Sequence, residues 1–283
     1  MPSWPWLPGL LFSLCSTLAP AAVLELDPAT EARPAIAWTT ERLAAHPEAQ
    51  EIQIPNDVSY RRPMQYRAVP LAVVLADLGL QRTDTLEAVA LDGFVAQLPG
   101  ALLLPTRAGA PRPWLAFEPP DAAWPALPGK TASAGPFYLV WPDARGIRSE
   151  QWPYALARLG SKASPGARWP QINVAASVPA GDPRRQGQAV FMAQCLVCHK
   201  INGGGESTLG PDLNQPMSPV AYFQPQALRR LIRNPAQVRT WPGQAMPGFA
   251  PDQISDTELD QLLAYLGHMA QDGARQGRLP AAR

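Results

Sequence analysis

Apolar positions follow two different periods along this chain, and the change from one to the other divides it. Between residues 23 and 180 the pattern is short: Ile52 and Ile54 alternate with Glu51 and Gln53, and compact apolar runs stand at 86–91, 94–98, 101–104, 114–117 and 137–141. Runs of this length, separated by Gly, Pro and Asp, predict strands joined by turns. A single helical stripe occurs at 70–78, where Leu71, Val74, Leu75 and Leu78 share one face. The first part therefore reads as an α+β domain with much loop.

Beyond residue 181 the period lengthens. Asp182 is placed as an N-cap with Pro183 at the first helical position, which predicts a helix running into residue 195. Residues 225–233 place Ala227, Leu228, Leu231 and Ile232 on one side before Asn234-Pro235 stops the helix. Ser255 and Glu258 form a capping box, followed by Leu259, Leu262, Leu263, Leu266 and Met269 up to Gly273. Turn formers gather from Gly160 to Gly181, which sets the division at 23–180 and 181–283.

Composition narrows the picture. The chain has 283 residues, and 34 prolines argue against long helices over most of it. Residues 23–180 hold 14 basic and 15 acidic side chains and residues 181–283 hold 10 and 8, which gives no case for nucleic acid as partner. Residues 1–24 carry no charge, with an apolar stretch at 7–18 before Ala19-Pro20-Ala21-Ala22. Residues 1–22 therefore read as a cleaved export signal and the mature chain as periplasmic. Pro2, Pro5, Pro8, Gly9 and Pro20 interrupt the segment too often for a bilayer span, so no integral span is expected in the mature chain. Cys15 leaves with the signal, and Cys195 and Cys198 are the cysteines that remain.

Those two cysteines stand in Cys195-Leu196-Val197-Cys198-His199, the attachment pattern of a c-type haem. Cysteines three apart on a helix project from nearly the same face and reach two vinyl groups of one porphyrin. The following His199 brings an imidazole to the iron. A structural zinc would need two more Cys or His ligands, and outside the motif the mature chain offers His46 and His268.

With Gly210-Pro211-Asp212-Leu213, Met246-Pro247-Gly248-Phe249 and the closing helix, the motif gives residues 182–272 a resemblance to class I cytochrome c. The resemblance implies an all-α domain, one covalently bound haem c, and a Pro211 carbonyl that accepts the proximal imidazole's N–H. It also implies a contact of Gly187 and Phe191 with Tyr265 on the last helix. Met246 is the expected distal ligand, its thioether followed by the stiffening Pro247; Met192, Met217, Met269 and His268 are the alternatives at less suitable places. A His/Met pair favours ferrous iron. Arg239 and Trp241 are candidates to hydrogen-bond a haem propionate. Arg229, Arg230, Arg233 and Arg239 form a basic group that reads equally as a solvated face or a docking patch.

In the first domain, Tyr66-Arg67-Ala68-Val69-Pro70-Leu71, Leu91-Asp92-Gly93-Phe94 and Gly135-Pro136-Phe137-Tyr138-Leu139-Val140-Trp141-Pro142 before Gln151-Trp152 resemble the molybdopterin-binding domain of the sulfite oxidase family. That family holds molybdenum through a cysteine thiolate, and residues 23–180 contain no cysteine. The resemblance therefore implies a truncated relative without a molybdenum centre, in which Asp92 and Arg67 are the polar residues to follow. The expected function is an exported electron carrier working with a dehydrogenase or oxidase partner, more a carrier than an enzyme. The alternatives are a molybdopterin-type oxidoreductase acting on a sulfur oxyanion or other small substrate and feeding its own haem, and a haem-based ligand sensor with an open sixth position.

Overall fold

The computed structural model describes residues 22–28 and 36–275, the last four by backbone alone. The expected export segment lies outside these residues except for Ala22. No helix among the described residues is long and apolar enough to cross a membrane.

The first part is α+β and holds two sheets. Its elements are β1 (Val23–Asp27), β2 (Ile36–Thr39), α1 (Thr40–Ala44), β3 (Gln50–Asp57), β4 (Arg62–Pro70), α2 (Leu71–Leu78), β5 (Thr85–Ala90), β6 (Val95–Pro99), α3 (Gly100–Leu103), β7 (Trp114–Phe117), β8 (Phe137–Val140) and β9 (Leu156–Lys162). One sheet runs β2-β1-β9-β5-β6 with β1 and β9 parallel, and the other runs β3-β4-β7-β8 with all pairs antiparallel. In β3 and β4 the two-residue period is explicit: Ile52 and Ile54 face inward opposite Tyr66 and Met64, while Glu51 and Arg67 face water. In α2, Leu71, Val74, Leu75 and Leu78 are buried, and Gly79 closes the helix at φ 65°, a left-handed cap that glycine adopts without strain. β5 and β6 are buried along nearly their whole length because both faces are covered.

The apolar run at 101–104, expected as a strand, is instead the short helix α3. A four-residue apolar run carries no period of its own. Gly100 decides the path, because a Cβ there would lie 2.2 Å from the Gln81 carbonyl oxygen, so the chain turns tightly where only glycine fits.

The second part is helical: α4 (Pro165–Arg168), α5 (Pro183–Val190), α6 (Pro219–Tyr222), α7 (Pro225–Arg233) and α8 (Asp256–Arg275). Asp182 caps α5, its Oδ1 accepting from the Arg184 N–H at 2.9 Å. At the start of α8, Ser255 N–H donates to Glu258 Oε2 at 2.9 Å and Glu258 N–H donates back to Ser255 Oγ at 3.3 Å. α5 does not continue unbroken into the cysteine motif. Phe191–Cys195 forms a π-turn, with Leu196 N–H bonded to the Phe191 carbonyl at 2.9 Å, which widens the helix by one residue before the first cysteine.

Two apolar cores result, one made largely by residues 24–159 and the other by residues 172–269. The second therefore begins before α5: Ile172, Val174 and Val178 pack with α5, α7 and α8. The exception is Val197, between the two cysteines, whose side chain is buried in the first core.

Candidate functional site

The chain leaves the π-turn and winds once more through the motif, with Cys198 N–H and His199 N–H both bonded to the Cys195 carbonyl at 3.0 and 2.8 Å. This turn keeps the two half-buried cysteines on one side and delivers the imidazole directly after them. Both thiols are free. Burial, and then the nearby Glu150 carboxylate, push both up to about 12. A redox-active Cys-x-x-Cys needs a stabilised thiolate, so this environment speaks against thiol–disulfide chemistry. Among the described residues no group of three or more His, Cys, Asp or Glu side chains is arranged to hold a metal.

His199 is held from below. Its Nδ1 lies 2.8 Å from the Pro211 carbonyl oxygen. A carbonyl only accepts, so the proton is on Nδ1 and Nε2 is left with its lone pair. Burial lowers the imidazole's proton affinity, which keeps the ring neutral and suited to bind a metal. Gly210 lies against the ring, where a Cβ would come within 2.5 Å of Cε1. Three hydrogen bonds brace the loop that carries Pro211: Asp212 accepts from the N–H groups of Gly203 and Asn214 at 2.7 and 2.8 Å, and the buried Asn214 amide donates to Asn202 at 2.9 Å.

Met246 lies in the irregular segment between α7 and α8, half-buried and packed against the second core. The segment is fastened at its end: Phe249 N–H donates to the Ile232 carbonyl at 3.0 Å and the Arg233 guanidinium donates to the Phe249 carbonyl at 2.9 Å. Gly248 allows this, since a Cβ there would meet the Arg233 carbonyl at 2.4 Å. Of the other methionines, Met269 is buried in the core, Met192 packs beside it and Met217 is 53% exposed. His268 is buried, and its Nε2 accepts from the Ala175 N–H at 3.3 Å.

Arg239 and Trp241 stand exposed on the same segment ahead of Met246, Trp241 at 49%. The basic group is partly spoken for. Arg229 pairs with Asp260, and Arg233 pairs with Asp256 at 2.7 Å, so half of it ties α7 to α8.

The first domain reaches the motif directly. Val95 N–H, on β6, points to the Val197 carbonyl at 3.4 Å, and Phe94 and Cys198 pack against the same core. Arg148 hydrogen-bonds the Gln253 carbonyl and forms an ion pair with Glu258 of α8. Arg168 joins Glu87 and Gln97 of the first domain to Glu206 of the second. Local sequence patterns carry no signal for these contacts, because each joins residues far apart in the chain. Asp92 is a turn residue, its Oδ1 accepting from Phe94 N–H at 3.1 Å, and Arg67 donates to the Ala44 carbonyl at 3.1 Å.

Residues 185–270 match the family model for cytochrome c. The chain thus carries a C-terminal c-type cytochrome domain, with the covalently bound haem c and the one-electron transfer to or from a redox partner that such a domain implies. Preceding it is an α+β region built on two sheets.

Proposed function

We propose that this protein is an exported single-electron carrier in which Cys195 and Cys198 tether one haem and His199 and Met246 are its axial ligands. The observation that carries this reading is the His199 Nδ1 contact with the Pro211 carbonyl, 2.8 Å, made directly after the two cysteines. The residues present fit the group: two free thiols on one turn, a neutral imidazole with one nitrogen engaged, and a glycine that leaves the ring its space.

When bound, the iron supplies a one-electron couple, which a thioether ligand biases toward the ferrous state. The protein's part is to hold that couple still. The Pro211 carbonyl fixes the imidazole's rotation and tautomer and raises its donor strength. The fastening of Phe249 to α7 holds Met246 at a defined place rather than on a loose loop, so little rearrangement accompanies electron transfer. Leu196 within the motif and Ile201 just after it are buried and limit water at the site. Arg239 and Trp241 are the candidate partners for a propionate.

The first domain, by its resemblance to a truncated sulfite-oxidase-like fold without the ligating cysteine, positions the haem domain and meets the redox partner, a periplasmic dehydrogenase or oxidase. The packing of Val197 into its core supports a positioning role. A molybdopterin-type oxidoreductase feeding its own haem is the reading to exclude, and metal analysis of the purified chain does so: iron at about one atom per chain without molybdenum fits a carrier, and stoichiometric molybdenum overturns it. The sensor reading predicts instead that ferrous protein takes up carbon monoxide rapidly at an open sixth position. With Met246 bound, that uptake is slow.

A further inference from the structure

A second group of ionisable side chains lies away from the iron site, where the two domains and their connection meet. Glu87, on β5, has a side chain only 2% exposed. Its Oε2 accepts from Arg168 Nη1 at 2.6 Å and from the Gln97 amide at 3.3 Å. The same Nη1 donates to Glu206 Oε1 at 3.0 Å, and Arg168 Nη2 donates to Gln97 Oε1 at 2.6 Å. Arg158 of β9 stands 3.9 Å from the other Glu87 oxygen, but it also faces Asp27 at 3.4 Å, and Asp27 in turn pairs with Lys162. Two carboxylates therefore converge on one guanidinium with only a distant share of a second.

Glu87 is buried while Glu206 is 42% exposed, and both draw on the one Arg168 guanidinium, so the buried member stays ionised and the low-cost state places a shared proton on the Glu206 side of the pair. We propose that the Glu87–Glu206 pair is a redox-linked proton site, taking up one proton when the haem domain accepts an electron and releasing it on oxidation. Reduction then adds one electron, from the donor protein, and one proton, from solvent, to the protein as a whole.

The placement supports the coupling. Glu206 belongs to the 200–210 loop, which starts at the ligand His199 and ends at Gly210, the residue packed on its ring. Within that loop Gly205 lies against the His199 carbonyl and Leu196. A positive charge lost at the iron on reduction favours protonation of a carboxyl in this loop. Burial, and then hydrogen bonding and repulsion from Glu87, raise the Glu206 carboxyl to about 7, while Glu87, which burial alone would raise, is held lower by its bonds to Glu206, Arg168 and Gln97. The pair titrates as a unit, and its useful range is neutral pH.

This proposal rests on the haem reading of the second domain, and the test keeps the two apart. Glutamate carboxyl shifts are followed by carbon-13 NMR in the ferric and ferrous holoprotein across about pH 5 to 9, and the midpoint potential is measured over the same range. The expected result is a carboxyl titrating near neutrality, moving to higher pH in the ferrous form, with a potential that falls as pH rises through that range. E206Q, which keeps an oxygen for Arg168, loses both the titration and that part of the fall. The proposal is overturned if every glutamate titrates in the ordinary carboxylate range, or if E206Q and the native chain show parallel potentials. A chain with no reversible redox wave fails the haem reading instead, and the carboxyl titration is still readable.

Discussion

Gly187 of α5 and Tyr265 of α8 meet where the two helices cross: a Cβ on Gly187 would lie 2.8 Å from Tyr265 Cβ and 2.0 Å from the Gln261 carbonyl oxygen. The crossing is this close because glycine removes the side chain on one side. One turn on, the Phe191 and Tyr265 rings lie 5.3 Å apart, and the Tyr265 hydroxyl donates to the Ile172 carbonyl at 2.7 Å. The pair fixes α5 on α8, and α5 leads to the cysteines. Gly187→Ala is expected to destabilise the haem domain by about 1–3 kcal/mol through overpacking. Denaturant unfolding followed at the haem absorbance measures it, and an unchanged midpoint would contradict the crossing.

Gly210 makes the same kind of close approach to His199. Gly210→Ala pushes a methyl group into the imidazole and must tilt the ring or break the bond to Pro211. The expected outcome is a ferric spectrum with high-spin character and a changed potential, read on purified holoprotein. A spectrum identical to the native one would show that the ring tolerates the methyl group.

Glu258 serves two partners at once, the Ser255 cap and Arg148 of the first domain. Burial pushes its carboxyl up, but the bonds from Arg148 and Ser255 outweigh this and leave it below the usual range. A depressed carboxylate stabilises the fold above its ordinary value, and that contribution fades as pH falls below about 4.5 toward the lower folded value. Glu258→Ala should cost about 1–2 kcal/mol at neutral pH, mostly from the lost cap. Its stability should converge with that of the native chain in acid, which thermal melts at several pH values will show.

Trp241 tests the propionate assignment. Trp241→Phe removes the indole N–H and keeps an aromatic ring, so the haem potential should shift while the unfolding midpoint stays nearly constant at this exposed position. An unchanged potential removes Trp241 from the site.

What could be read in advance follows from how local each signal is. The α8 cap, the α5 N-cap and the motif turn depend on residues within four positions of one another, so their patterns stand in the sequence. β7 was equally clear, since Trp114–Phe117 is apolar on both faces and bounded by turns. β9 was hidden because Gly160 and Ser161 read as turn formers, yet Ser161 is buried at 2% in a strand paired on both sides. β4 alternates Met64, Tyr66 and Ala68 with Gln65 and Arg67, a two-residue period that stands in the sequence as plainly as that of Ile52 and Ile54. The domain junction left no local trace: Glu87 and Arg168 are 81 positions apart, and neither residue announces a buried partner.

The central claim is that one covalently held haem gives this chain its activity. The most direct measurement is a spectroelectrochemical titration of the purified, matured chain, with haem content determined after denaturation on the same sample. One reversible one-electron wave, with a single haem remaining on each chain through denaturation, is the predicted result. Haem that washes away on denaturation, or a chain with no reversible wave, would contradict it.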